Sequence, residues 1–233
     1  MTTPEDRIVN RCARCDVTVA PDAAASIARV LEDMLREPQN LSAVKGIDQA
    51  VWVHAVDSLS GLRVPAIRDA TGIVDIGSGG GFPGLALAAA LPAVPVTLVE
   101  SEQRKADWLC RASAGFPNVR VVAERSETLA RDEPAAFPAA VVRAVGPLPV
   151  VMELAAPLLA PGGHLVAWRG RRDADDARAA AAAAAELGLG PTPDIDVTPI
   201  PGMSRYFSIW EKTADTPDRY PRRPGMATKR PIT

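Results

Sequence analysis

The stretch VDIGSGGGFPG, residues 74 to 84, decides the fold. It starts inside an apolar run, Ile73, Val74, Asp75 and Ile76, broken by one acid. It passes through Gly77, Gly79, Gly80, Gly81 and Gly84, with Phe82 and Pro83 among them, and leads into an apolar helical stretch. A buried strand that turns through glycines into a helix is the cofactor-holding corner of doubly wound α/β proteins. Gly79, Gly81 and Gly84 match the dinucleotide spacing G-x-G-x-x-G, but that match alone is weak and the context has to decide.

Outward from this corner the pattern alternates. Strands are expected at 72–76, 95–99, 119–122, 139–143, 163–168, 195–200 and 206–210, with helices at 83–91, 102–114, 126–130, 149–159 and 173–187. Strands separated by helices imply a parallel sheet with right-handed crossovers. The last two strands are joined only by PIPGMS, a link that fits an antiparallel pair. The alanine run 179–185 reads as an ordinary surface helix, since alanine is the best helix former.

Before the α/β region, residues 1–22 are polar and unperiodic and are expected to form a flexible arm. Apolar residues at helical spacing predict a small cap over 23–65, with helices from Asp22 to Arg36 and from Asp48 to Leu62 around the loop EPQNLSAVKG. The α/β domain then spans 66–212. Residues 213–233 are Pro-rich and basic, with Arg219, Arg222, Arg223, Lys229 and Arg230 against the acid Asp218.

With 233 residues, 47% hydrophobic and 23% charged, the chain reads as one globular α/β domain with a modest extension. A net charge of −2 excludes a polycation, so any nucleic-acid contact must come from local patches. No N-terminal signal pattern and no apolar run of about 18 residues is present, and a cytoplasmic location is expected. Cys12 and Cys15 have C-x-x-C spacing, but a metal site needs two more ligands and the only histidines are His54 and His164. Free thiols and no metal are expected.

Glu100 closes the second strand, where an acid accepts hydrogen bonds from both ribose hydroxyls of an adenosine. That suits NAD and S-adenosylmethionine alike. Three features favour S-adenosylmethionine. Asp75 would repel a pyrophosphate but suits a ligand carrying an ammonium and a sulfonium. A pyrophosphate loop counted from Gly77 wants glycine at 82, where Phe82 stands. No hydride-transfer partner such as Tyr-x-x-x-Lys accompanies the loop. The expected fold class is therefore a Rossmann-like class I S-adenosylmethionine-dependent methyltransferase, with a seven-stranded, mainly parallel sheet and an antiparallel last strand.

The residues after the fourth strand bear on the acceptor. RAVGP, Arg143 to Pro147, lacks the Asp/Asn-Pro-Pro-aromatic sequence of amino-group methylation and the cysteine of pyrimidine carbon-5 chemistry. A guanine N7 fits, because it offers a lone pair, carries no proton and needs no general base. Arg143 at the strand end could hold the guanine or its phosphate.

At this point the sequence resembles the bacterial small-subunit ribosomal RNA guanine-N7 methyltransferases (the RsmG, or GidB, family) over roughly residues 24 to 231. NLSAV, HAVDSL, VDIGSGGGFPGLALA, VESEQRKADWL, VVAERSETLA, VVRAVGPL and YPRRPGMATKRPI follow in the family's order. The resemblance implies methyl transfer from S-adenosylmethionine to N7 of one guanine in the small-subunit rRNA near the decoding centre. It implies a cofactor site of Gly77, Phe82, Glu100, Ser101, Glu102, Ser126 and Glu127, which join Asp75 and Gly79 of the glycine corner, with Arg143 at the junction of cofactor and guanine. It places Arg125 and Arg205 at RNA or active-site contacts. His54, Asp57 and Ser58 either shape the pocket from the cap or pin a helix. In the tail, Arg222, Arg223, Lys229 and Arg230 are expected to meet phosphates, helped by a basic cluster of Arg169, Arg171 and Arg172.

Ala227–Thr228 and Arg169 depart from the family's usual residues, and the arm with Cys12 and Cys15 has no counterpart in it. The expected partner is small-subunit rRNA or a ribosomal subunit or assembly particle, with no membrane and a monomeric enzyme. The alternatives are a methyltransferase on another RNA or a small molecule, a non-catalytic RNA-binding module, and an NAD enzyme.

Overall fold

Short runs of aliphatic, β-branched residues make the inner strands of the protein. The computed structural model describes residues 2–39 and 41–233. Its strands are β1 (Ile73–Ile76), β2 (Val96–Val99), β3 (Val119–Val122), β4 (Phe137–Arg143), β5 (Leu159–Arg169), β6 (Leu189–Ile200) and β7 (Met203–Lys212). They form one sheet in the order β3-β2-β1-β4-β5-β7-β6. β1 to β5 are parallel, and β7 runs antiparallel to both β5 and β6. This is the expected fold. β6 and β7 extend beyond the apolar runs that announced them, because their outer part is held by ladder hydrogen bonds and not by burial: Thr192, Asp194 and Asp196 face solvent or its margin.

The helices are α1 (Pro4–Ala13), α2 (Pro21–Arg36), α3 (Ile47–Ala50), α4 (Asp57–Leu59), α5 (Pro65–Arg68), α6 (Gly84–Ala90), α7 (Gln103–Ala112), α8 (Ser126–Asp132), α9 (Leu148–Ala155), α10 (Ala174–Leu187) and α11 (Met226–Lys229). Successive strand residues point to opposite faces. Ile73, Leu98, Ala139, Val141, Val166, Trp168 and Phe207 share one core with α1, α2, α6 and α7 on one face. Val74, Ile76, Val99, Ala140, Val142, Leu165 and Ala167 meet α8, α9, α10 and the tail on the other. The cap is thus no separate unit: its apolar face and one face of the sheet share a single core.

Two expectations are corrected. Residues 1–22 are not a loose arm. Pro4–Ala13 is helical, opened by a capping box in which Thr3 and Asp6 exchange side-chain and backbone hydrogen bonds, and it buries Ile8 and Cys12. Burial pushes the Cys12 thiol up to about 12, so it behaves as a small core hydrophobe. The expected helix 48–62 is not one regular helix either. α3 runs into a π-helical turn, Val51–Val56, then α4, then a 3₁₀ turn, Ser60–Arg63. Asn40, the first residue of the NLSAV motif, lies outside the described residues.

Candidate active site

The switch point of the sheet lies between β1 and β4, whose crossovers leave on opposite faces; ligands of open α/β sheets bind at the carboxyl ends of strands there. Gly77, Gly79 and Gly81 all have positive φ, at +71°, +54° and +98°. Only glycine adopts these without strain. Gly77 also needs its missing Cβ: one would lie 2.8 Å from Val145 Cγ2 in the loop after β4. Gly84 begins α6 so close to β1 that a Cβ would meet Leu98 and the Asp75 carboxylate at 2.3 and 2.6 Å.

That approach has a purpose. The Gly84 N–H donates to Asp75 Oδ2 at 2.9 Å, while Asp75 Oδ1 is buried with no hydrogen-bond partner among the described residues. Burial pushes the Asp75 carboxyl up to about 7, against the opposing pull of the Gly84 N–H and the positive charge of Arg143. At the end of β2, Glu100 is nearly buried; its Oε2 accepts from the Gly79 N–H at 3.0 Å and its Oε1 from the Glu102 N–H at 2.8 Å. These bonds fix the carboxylate beside the glycine loop. Ser101 and Glu102 are exposed just beyond it, and Glu102 pairs with Lys105 at 2.7 Å. Ser126 and Glu127 open α8 and are both buried. Phe82 is buried and its ring lies 5.4 Å from that of His54, which joins the loop to the cap.

The second half of the site is a carboxylate gripped by two arginines. Strand parity puts Arg143 on the face of Ala139 and Val141, Trp168 on that of Val166, and Arg205 on that of Phe207 and Ile209. All three face the cap. Because β7 is antiparallel, Arg205 near its start lies level with the ends of β4 and β5. They converge on Asp57, which is fully buried. Arg143 Nη1 donates to Asp57 Oδ2 and Arg205 Nε to Oδ1, each at 3.0 Å, and Trp168 Nε1 donates to the Asp57 backbone carbonyl at 2.9 Å.

The π turn is what makes room for Arg143. The Asp57 N–H donates to the carbonyls of His54 and Trp52, which leaves the intervening Val53 carbonyl open. Arg143 Nη1 donates to it at 2.8 Å. Wide turns of this kind recur at functional sites. Arg143 Nη2 also lies 3.2 Å from His54 Nδ1, and His54 Nε2 lies 2.7 Å from Ser42 Oγ. An arginine only donates, so Nδ1 accepts and the imidazole carries its proton on Nε2, donating to Ser42. Burial, then the charge of Arg143, pushes His54 down to about 4, which keeps it neutral.

Among the described residues, three of the five N–H donors of Arg143 are committed, to Val53, Asp57 and His54, and two remain. Arg205 commits only Nε among the described residues. Both line a cleft of about 450 Å³ with His54, Ala144 and Arg171. Ala144 sits at φ +60°, a left-handed backbone that a non-glycine residue holds only where its surroundings enforce it.

The arginines expected to contact RNA divide sharply. Arg222 is partly buried and committed to the protein: its Nε donates to Glu153 Oε1 at 2.6 Å, its Nη2 to the other oxygen, and Nη2 also to the Arg230 carbonyl at 2.7 Å. The tail is therefore not an extended solvated arm but folds back on α8, α9 and α10, burying Tyr220, Ala227 and Ile232. Arg169 is tied to Asp176 and to the Gly146 carbonyl, and Arg172 spans Asp194 and Asp196, so neither is a spare cation of a basic cluster. Arg125, Arg171, Arg223, Lys229 and Arg230 are exposed. Sequence patterns point to Asp57 without showing its central place, and they miss Ser42 and Glu153. The lone glutamate in LPVVMELA, an otherwise apolar helix, is the available signal for a buried partner.

Among the described residues, no group of His, Cys, Asp and Glu has the geometry of a metal site, and no helix is long and apolar enough to cross a membrane. The fold is similar to a 16S rRNA (adenine(1408)-N(1))-methyltransferase from Catenulisporales acidiphilia, at 16% identity and a TM-score of 0.53, covering 65% of this chain and 90% of that one. A similar likeness, TM-score 0.51 at 16% identity over 82% of this chain and 89% of the other, links it to the Burkholderia thailandensis 1,6-didemethyltoxoflavin-N1-methyltransferase. Sequence likeness is closer. Proteins named ribosomal RNA small subunit methyltransferase G from Deinococcus deserti and Rubrobacter xylanophilus are each 41% identical, covering 83% of this chain and 81% and 77% of theirs. The family profile described as rRNA small subunit methyltransferase G matches residues 30–191. Fold, cradle and sequence converge: the chain belongs to the rRNA small subunit methyltransferase G (GidB) family.

Proposed function

We propose that the protein transfers the methyl group of S-adenosylmethionine to N7 of a guanine in small-subunit rRNA, free or within a ribosomal particle. The observation that carries the reading is the Asp57-held pair Arg143 and Arg205 beside the glycine cradle at the sheet's switch point. The cradle fits the cofactor. Asp75 offers a cationic ligand a buried oxygen without a partner among the described residues, Glu100 is an immobilised acceptor for ribose hydroxyls, and the loop between them has no room for side chains at Gly77 or Gly84. Ser101, Glu102, Ser126 and Glu127 extend the cradle along the ends of β2 and β3 toward the nucleoside.

Bound S-adenosylmethionine supplies an electrophilic methyl carbon: the N7 lone pair forms the new bond, the carbon–sulfur pair leaves with sulfur, and no proton moves. The protein therefore needs alignment and electrostatics, not a base. His54, neutral and already an acceptor from Arg143, serves to hold that arginine. Arg143 and Arg205 line the cleft, where their uncommitted donors suit the O6 and phosphate acceptors of a guanine nucleotide. Exposed Arg125 and Arg223 flank the ends of α8 and the tail, and with Arg171, Lys229 and Arg230 they supply phosphate contacts.

Arg143→Ala tests the assignment. Methyl transfer is expected to fall by a factor on the order of 10² or more, while S-adenosylhomocysteine still binds to within a few-fold in a calorimetric titration. Transfer at the wild-type rate by this variant would remove Arg143 from the reaction.

A further inference from the structure

We infer that the C-terminal tail is a wall of the cofactor pocket: docked by Arg222 on Glu153, it brings the Gly225 N–H to Glu127 and orients that carboxylate toward the adenine edge. Arg222 and Glu153 are then positioning residues for adenosine recognition. The inference rests on the proposed cofactor reading, in which the adenosine lies along the ends of β1, β2 and β3.

The tail is anchored on both sides of Gly225. Before it, Tyr220 is buried with its hydroxyl on Glu186, and Arg219 pairs with the same carboxylate at 3.1 Å. Arg131 donates to the carbonyls of Pro221 and Arg222 at 3.5 and 3.3 Å. Arg222 then forks onto Glu153, which is only 3% exposed. After it, Ala227 and Ile232 are buried and the Arg230 carbonyl returns to Arg222. Between these anchors Gly225 turns at φ +80° and aims its N–H at Glu127 Oε1, 2.8 Å away.

Glu127 is itself buried, and among the described residues its second oxygen has only a long 3.5 Å contact from Ser126 Oγ. A carboxylate with one oxygen held by a backbone N–H has its other oxygen fixed in direction and short of a donor. An adenine supplies that donor through its exocyclic amino group. A base with a carbonyl at the same carbon presents a lone pair to the carboxylate and is rejected, since a buried acceptor left facing an acceptor costs its full desolvation. The tail thus acts on the ligand through one hydrogen bond, and breaking its anchor should blur the choice of base.

The experiment is calorimetric titration of the full chain with S-adenosylhomocysteine and with S-inosylhomocysteine. The wild type, Arg222→Gln, the isosteric Glu153→Gln and, as a control on the exposed face of α10, Arg178→Gln are compared. Wild type and control are expected to prefer the adenosine ligand on the order of tenfold or more, and the two anchor variants to within about threefold. A measurement free of substitution accompanies it: adding S-adenosylhomocysteine to the wild type should slow amide exchange in the peptide 219–230. An unchanged preference in folded anchor variants, equal weakening toward both ligands, or no protection of 219–230 overturns the inference and leaves the cofactor reading standing. No binding of S-adenosylhomocysteine by the wild type overturns both.

Discussion

Asp57→Ala is expected to destabilise the protein by about 3–5 kcal/mol, the cost of removing one partner from a buried ion pair, and to lower methyl transfer by about a hundredfold or more. Asp57 is fully buried, and its two oxygens each hold a different arginine. Its removal leaves both guanidinium groups facing a cavity, Arg205 without its acceptor among the described residues and Arg143 held only by the Val53 carbonyl and His54. Arg143 and Arg205 are 15% and 25% exposed, so partial hydration softens the penalty on their side, and the lower end of the range applies. Asp57→Asn keeps the shape and one acceptor and should fall between. Urea denaturation gives the stability and labelled methyl transfer the rate; a variant that is destabilised yet turns over normally would make Asp57 a helix pin and nothing more.

Asp75→Asn is expected to act in opposite directions on stability and on binding. In the folded chain the Asp75 carboxyl titrates near 7 instead of the usual 3.8, chiefly because it is buried. Between these values the folded state keeps a proton that the unfolded state has released, so the contribution of this group to stability declines as pH rises toward 7. An asparagine carries no charge to bury, and its carbonyl still accepts from the Gly84 N–H. The variant should be more stable than wild type at pH 8, on the scale of about 1.4 kcal/mol for each tenfold difference in proton affinity between the folded and unfolded chain, with the gap closing toward pH 4. A cationic ligand needs the carboxylate, so S-adenosylmethionine should bind the variant on the order of tenfold or more weaker, the scale of one charge-assisted hydrogen bond. Wild-type affinity should likewise fall as pH drops below 7. Thermal melts and titrations at pH 5 and 8 check both. Undiminished affinity in Asp75→Asn would place the ammonium and sulfonium away from this acid.

How far each feature is legible in the sequence depends on how local it is. The glycine corner, the strand cores and Glu100 are written in runs of neighbouring residues, and the structure places them as read. α1 is misread, because the polarity of its segment suggests an arm, and the helix start formed by Thr3, Pro4 and Asp6 is the signal that this reading passes over. The Asp57 centre is not legible in the same way. Its partners Arg143, Trp168 and Arg205 are 86, 111 and 148 residues away, and only the order of strands in the sheet brings their ends together. Strand parity predicts that the three share a face, but not that the cap meets it. The tail misleads because a basic, Pro-rich segment reads as an extended strand free to meet phosphates, whereas Arg222 finds a buried glutamate 69 residues away in the chain. The freed Val53 carbonyl depends on a π turn, which has no periodicity in the sequence to betray it.

The most direct test of the account is to incubate the protein and labelled S-adenosylmethionine with small-subunit particles and with protein-free small-subunit rRNA. The label is then mapped by strand cleavage specific for N7-methylguanine. One labelled guanine, modified at N7, is expected in at least one of the two substrates, with the product reduced on the order of a hundredfold or more for Arg143→Ala. Label on another atom, on another RNA class, or on no RNA while S-adenosylmethionine binds would contradict it.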